Sequence, residues 1–313
     1  MYKKLVELDF PKHVTTWFLS FLDSRQQFVN VDKFSSSVIN IHAGTPQGTK
    51  SGPNDFRLLI NDLRFDLTYI KYVDDTTAVS SSDDPFNNAL QSSVVHLCDW
   101  CDQNGMRINV PKTKEMVIYF GKIFNLDFIP RLNIANIVVD RVCNFKLLGV
   151  VFSSDLSWRA HITYVLDKVS KRFFIIWQLV RSGISFSDII SIYCSLIRSV
   201  MEYACPVWHC GLTYGESSDL ERVQKRVLKI MYPDHSYKEA LVLSGLERLD
   251  ERRERITRET FEAFKDPGHI LYNLLPQKVF TRDTRDCYPF MTPLARTRRL
   301  KSSFINYCIS KRY

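Results

Sequence analysis

The sequence predicts an α+β first half followed by an all-helical second half. Short apolar runs with strand-like alternation recur up to about residue 152, set between polar links and Gly/Pro-rich loops. From Trp158 onward the apolar period changes to that of long amphipathic helices. With 313 residues, 45% of them hydrophobic and 13% aromatic, the chain can fill a real core.

In order, "LVELDFPKHVTTWFLSFLDSR" has helical apolar spacing, and "QQFVNVDKFSSSVINIHAG" alternates as paired strands. "GTPQGTKSGPNDFRLLINDL" is a loop running into a helix, and "YIKYVDDTTAVS" reads as a hairpin. "SSSDDPFNNALQSSVVHLCDWCDQNG" opens with capping acids and a proline and stops at Gly105, so it reads as a helix. "MRINV" and "EMVIYF" are expected strands flanking "PKTK", and "IANIVV" with "FKLLGVVF" is an expected hairpin. The helical half comprises "HITYVLDKVSKRFFIIWQLVRSG", "SDIISIYCSLIRSVMEYA", "SSDLERVQKRVLKIMY" and the arginine-dense "LERLDERRERITRETFEAF".

A formal charge of +8 suits an acidic partner, of which nucleic acid is the commonest, although a basic surface without a specific partner fits composition equally well. The N-terminal stretch "MYKKLVELDF" has no signal-peptide pattern, and no apolar run approaches a membrane span of about 20 residues. An intracellular protein of nucleus or cytoplasm is expected, neither secreted nor membrane-bound. The eight cysteines are scattered, so reduced thiols are expected. Cys98 and Cys101 have metal-like spacing, with Cys205, His209 and Cys210 as conceivable partners. The weightier reading places the first two on the core side of a helix.

The chemistry concentrates on Asp74 and Asp75. Two adjacent carboxylates repel, and a cation between them and a phosphate would relieve that; Mg²⁺ takes one or two carboxylates and fills its shell with water and phosphate oxygens. Taken alone, "YVDD" is more often a solvated acidic turn. The neighbours weigh against that: Gly44, Pro46, Gln47 and Gly48 form a loop that admits a base or sugar, and Lys112 adds a cation. Interleaved acids make part of residues 247–265 an ordinary solvated helix face. Arg296, Arg298, Arg299 and Lys301, in "RTRRLK", have no such balance and are the better candidates for phosphate contact.

The ordered set "GTPQGTKSGPNDFRLLINDL", "YVDDTT", "NVPKTK" and "FKLLGV" resembles the palm of a reverse transcriptase of the non-LTR, LINE-like (jockey/CR1) kind. The resemblance continues through "DLSWRAHI", "MEYACPVWHCGL" and "ARTRRLKSSF". It implies a partial polymerase palm over residues 1–152, built on an antiparallel sheet with helices, and a helical thumb with a basic C-terminal region over 153–313. It further implies RNA-directed DNA polymerisation with Mg²⁺, Mn²⁺ serving as a substitute, on an RNA template, a DNA primer and deoxynucleoside triphosphates. Asp74 and Asp75 would hold the metal, Lys112 would act near the leaving pyrophosphate, Gly44, Pro46, Gln47 and Gly48 would contact the nucleotide, and Leu148 and Gly149 would grip the primer end. No oligomeric state is implied.

Two features depart from that pattern. Asn54 and Asp55 stand where relatives place apolar residues, and would serve as helix caps. The family's metal-bridging aspartate belongs to a strand expected before Met1, for which Asp9 is a poor substitute, and the fingers are missing. The expectation is therefore a truncated polymerase, weakly active or inactive by itself, with a non-catalytic nucleic-acid-binding remnant as the alternative.

Overall fold

The computed structural model describes residues 1–313 except 42, 43, 45–47, 50, 51, 85, 122–124, 277–289, 292 and 293. Two compact units emerge, Met1–Glu115 with Asn125–Asp140, and Met116–Phe124 with Arg141–Tyr313.

The first unit begins with helices α1 (Tyr2–Glu7) and α2 (Lys12–Leu22), broken apart at Asp9, which is left-handed (φ 55°), and at Pro11. Strands β1 (Arg25–Gln27), β2 (Asn30–Val31), β3 (Phe34–Ser35) and β4 (Ile39–Ile41) follow. They nest as β1 against β4 and β2 against β3, the paired strands that the alternation predicts. Helix α3 (Gly52–Leu59) leads into the hairpin of β5 (Thr68–Tyr72) and β6 (Asp75–Val79), and helix α4 (Ala89–Gln103) comes next. The start of α4 lies later than its acids suggest, because Asp84 and Asn87 turn the chain by accepting the amides of Phe86 and Ala89. Ile60, Leu63, Trp100 and Cys101 form a small core, with Cys101 packed as an apolar group.

Past α4 come β7 (Lys114–Glu115), β8 (Asn133–Ile134), β9 (Ile137–Val138) and β10 (Asp140–Arg141). The expected strand "MRINV" is absent. Met106 and Ile108 instead pack on the small core, and the carbonyl of Asn109 takes the amides of Lys112 and Thr113 in a turn. "IANIVV" is a hairpin by itself, with Ala135 and Asn136 both at positive φ. Among the described residues the strands pair two by two, so the continuous antiparallel sheet expected of a palm is present only as separate ribbons. Ile70, Tyr72 and Val79 accordingly remain exposed on one face of the β5–β6 hairpin.

The second unit opens with the hairpin of β11 (Asn144–Leu147) and β12 (Val150–Ser153), which also closes on itself. Helices α5 (Arg159–Ser170), α6 (Phe173–Arg181), α7 (Phe186–Tyr193), α8 (Ser199–Glu202), α9 (Cys205–Trp208), α10 (Tyr214–Met231), α11 (Tyr237–Ser244), α12 (Leu249–Phe264), α13 (Arg298–Lys301) and α14 (Phe304–Lys311) follow. A π-helical turn at Cys194–Arg198 carries α7 into α8. Capping boxes at Thr213/Glu216 and Ser236/Glu239 start α10 and α11, and Gly245 (φ 66°) ends α11 in the left-handed conformation that glycine favours. Val169, Ile189, Tyr193, Met201, Trp208, Leu220 and Val227 build the core. No described helix is long and apolar enough to cross a membrane.

Candidate active site

The β5–β6 register pairs Tyr72 with Asp75, so Val73 and Asp74 alone make the turn. A two-residue hairpin loop needs positive φ at its first position, where glycine is usual. Here that position is Val73, with φ 53°, a β-branched residue in the left-handed region. Asp74 therefore stands at the tip of a strained turn and Asp75 at the first position of β6, both exposed.

Two lysines, Lys4 buried and Lys71 half-buried, hold the hairpin's surroundings. Lys71 alternates onto the covered face of β5 and donates to the carbonyls of Ile60 (2.8 Å) and Leu63 (3.0 Å). Burial and the Arg64 charge push its ammonium below the ordinary lysine range. Lys4 of α1 donates to Leu59 O and to Asp62 (2.6 Å), and its ammonium sits 4.7 Å from the centre of the Trp100 ring. Both lysines thus satisfy carbonyls at the C-terminal end of α3, where the helix dipole favours cations. Strand alternation carries the signal for Lys71, since it shares a face with Tyr69; nothing in the sequence marks Lys4.

Asp55 does not cap α3. Gly52 N donates to Thr49 Oγ1, while Asp55 lies within the unit, 1% exposed, with neither carboxylate oxygen hydrogen-bonded. Burial raises its pKa, and the Arg25 charge partly offsets this. Arg25 itself donates to Gly44 O (2.6 Å), and its buried Nε has no partner. Gly44 (φ 88°) and Gly48 (φ 77°) both use conformations open to glycine. Pro46 and Gln47 lie outside the described residues.

Lys112 is exposed in the Asn109–Thr113 turn, in neither hydrogen-bond nor ion-pair contact with Asp74 or Asp75; its neighbour Lys114 is the one paired, with Asp140 at 2.6 Å. Among the described residues, no group of three or more His, Cys, Asp or Glu side chains could hold a metal ion, so Asp74 and Asp75 have no third donor beside them. Two carboxylates on an open turn still fit the sparse protein ligation that Mg²⁺ accepts when substrate phosphates complete its shell.

In the second unit, Leu148 (φ 46°) and Gly149 (φ 87°) form the two-residue turn of β11–β12. Tyr203 Oη donates to Leu148 O (2.8 Å), and a Cβ on Gly149 would meet Tyr203 Cε1 at 2.9 Å, so this turn requires glycine twice over. The Tyr203 clamp had no sequence signal. Arg298, Arg299 and Lys301 lie on α13, capped by Thr297, and Arg296 precedes it; all four are exposed. Two of the four arginines of α12, by contrast, are paired: Arg252 with Glu202 (2.7 Å) and Glu247 (3.1 Å), and Arg255 with Glu247 (2.6 Å) and Glu259 (3.0 Å).

Comparison with known proteins finds similarity to one family. Residues 1–152 match the reverse transcriptase (RNA-dependent DNA polymerase) family. The RNA-directed DNA polymerase from mobile element jockey of Drosophila melanogaster is 24% identical over 215 residues, 64% of this chain and 23% of that protein. The Pol polyprotein from type-1 retrotransposable element R1 of Bradysia coprophila is 24% identical, over 60% of this chain and 20% of that protein. The probable RNA-directed DNA polymerase from transposon X-element of Drosophila melanogaster is 25% identical, over 66% and 23%. The chain thus spans between a fifth and a quarter of the length of these relatives. No solved structure matches it. Over residues 1–152 the chain is thus similar to the reverse transcriptase (RNA-dependent DNA polymerase) family, and the relatives it resembles are polymerases of mobile elements.

Proposed function

We propose that this chain is the palm and thumb part of an RNA-directed DNA polymerase, with palm motifs in residues 1–152 and thumb and basic C-terminal region in 153–313. The observation that carries the reading is the exposed Asp74–Asp75 pair at the tip of a two-residue turn, within a reverse-transcriptase match. The reaction is attack of a DNA primer 3′-hydroxyl on the α-phosphate of a deoxynucleoside triphosphate, templated by RNA, forming a phosphodiester and releasing pyrophosphate. Asp74, with Asp75 assisting, would hold Mg²⁺ or Mn²⁺, which when bound supplies charge stabilisation at the phosphate and activates the hydroxyl.

The chain's own groups divide the remaining work. The strained turn fixes where the two carboxylates point. Gly44 and Gly48 let backbone come close to a nucleotide, with Pro46 and Gln47 between them. Lys112, exposed and unpaired among the described residues, is free to give a proton to departing pyrophosphate. Leu148–Gly149, held by Tyr203, offers backbone to the primer end, and Arg296, Arg298, Arg299 and Lys301 offer charge to phosphates. Such a protein works inside the cell, in nucleus or cytoplasm, where RNA and nucleotides are.

Two carboxylates with no third Asp, Glu, His or Cys beside them among the described residues bind Mg²⁺ weakly, so extension by the chain alone is expected to be slow and to demand millimolar metal. Primer extension on an RNA template tests this: Asp74→Ala should abolish the Mg²⁺-dependent product. A non-catalytic nucleic-acid binder is the second reading, favoured by the exposed charges at 296–301. It wins if hybrid binding is salt-sensitive, indifferent to Asp74→Ala, and no extension occurs.

A further inference from the structure

The helix α6 carries more apolar surface than its unit can use. Phe173 and Ile176 face the core, where Arg226 lies 4.7 Å from the centre of the Phe173 ring. That leaves Phe174 68% exposed and Trp177 46% exposed, three residues apart on the flanking face of the helix. A helix needs one apolar face to dock; a second face with two large rings indicates a partner. The Arg181 guanidinium sits 5.7 Å from the centre of the Trp177 ring and fixes the indole's orientation while leaving nearly half of it open.

Charge selects the partner. Between residues 168 and 187 the sequence has no acid, and Lys168, Lys171 and Arg181 are exposed and free of ion pairs among the described residues. Rings flanked by unpaired cations match an unpaired polynucleotide, whose bases stack on aromatic faces while its phosphates meet the cations. A duplex presents backbone and keeps its bases inside, so it would use the cations and ignore the rings.

We propose that the outer face of α6 is a stacking platform for an unpaired stretch of RNA or DNA, with Phe174 and Trp177 as the stacking rings and Lys171 and Arg181 as phosphate contacts. This rests on the reading that the chain handles nucleic acid, but it does not need the polymerase chemistry.

The test uses the 313-residue chain and fluorescently labelled oligo-uridine RNA, oligo-thymidine DNA and a blunt RNA/DNA hybrid, with affinity measured by anisotropy across salt. Phe174→Ala and Trp177→Ala should each weaken the unpaired strands roughly fivefold to a hundredfold. The salt slope should stay unchanged, and so should hybrid binding. Trp177→Phe should restore most of the affinity, and Arg181→Ala should instead lower the salt slope by about one. The platform is overturned if unpaired strands bind the Phe174→Ala and Trp177→Ala chains as well as wild type, or if hybrid binding falls in parallel. It also fails if the wild type binds no unpaired strand, if the substitutions abolish self-association, or if they abolish binding to phosphatidylserine vesicles. Loss of hybrid binding with intact oligo-uridine binding would count against the polymerase reading and leave the platform standing.

Discussion

The acidic-hairpin unit and the helical unit differ in how they treat a buried carboxylate. In the helical unit, Glu221 accepts from Tyr237 Oη and from the amide of Leu249 (3.0 Å), Gln224 is tied to Tyr193 (2.8 Å), Tyr237 (3.1 Å) and Glu247 O (2.9 Å), and Glu254 collects His209, Tyr307 and Tyr313. Arg253, fully buried, donates to Ser217 (2.9 Å) and lies over Trp208. In the hairpin unit, Asp55 is buried with nothing to accept, and Ile70, Tyr72 and Val79 lie open to solvent. The first pattern belongs to a core that meets its carboxylates from within, with only His161 Nε2 and Arg253 Nη1 left unpartnered among its described buried side chains. The second leaves a buried carboxyl and an apolar hairpin face unmet within the unit.

The strongest way to break this comparison is at Trp208. Its indole is fully buried between His161 and Arg253 and donates to Tyr203 O (3.0 Å), the same residue that clamps the Leu148–Gly149 turn. Trp208→Ala should cost about 3–5 kcal/mol, read from urea denaturation by circular dichroism. A loss under about 1 kcal/mol would mean that the helical core is not the self-sufficient one described.

Acid should come next in size. Burial holds His161 neutral, lowering its pKa from 6.5 to about 4, with Nδ1 accepting from Val151 N (3.3 Å) and Nε2 unpartnered. The unfolded chain takes up that proton at higher pH than the folded one. The stability is therefore fully present above pH 6.5 and lost as pH falls toward 4, a change on the order of 3 kcal/mol. Denaturation curves between those limits should flatten in His161→Phe.

Asp55 should respond to pH with the opposite sign. Its folded pKa is raised above the ordinary 3.8, so the carboxyl keeps its proton more tightly in the folded state. Its contribution is most favourable at low pH and declines as pH rises through the folded value. Asp55→Asn removes the charge and should stabilise the hairpin unit by about 1–2 kcal/mol near neutrality, seen as greater amide protection of β5 and β6. Weaker protection would show that Arg25 already compensates the carboxylate.

These contrasts mark what sequence could convey. The helical half was legible because its period is repeated over many turns. The β5–β6 hairpin was legible from alternation, whereas the strain at Val73 shows only in the backbone. The strand expected at "MRINV" failed because Asn109 and Pro111 divert the backbone into a turn, a local competition that alternation does not register. Lys4, Tyr203 and the burial of Asp55 depend on which distant residues meet, and no spacing rule carries that. The site motifs were visible as types of residue; what lay hidden was which of them the fold ties down.

The smallest effect bears most directly on the acidic turn. Val73 at φ 53° carries a left-handed penalty of about 1–2 kcal/mol, whereas glycine would adopt that conformation freely but costs about 0.5–1 kcal/mol more to order. Val73→Gly should therefore stabilise the hairpin by only about 0.5 kcal/mol, detectable as slower amide exchange at Tyr72 and Asp75, which pair across the turn. If the valine serves only as a turn residue, Mg²⁺-dependent extension should follow that gain. If its stiffness aims Asp74, extension should fall severalfold while the hairpin grows more stable, because the freed turn lets the carboxylates wander. A parallel change in stability and extension would remove strain from the account of this site and leave the turn as an ordinary hairpin tip.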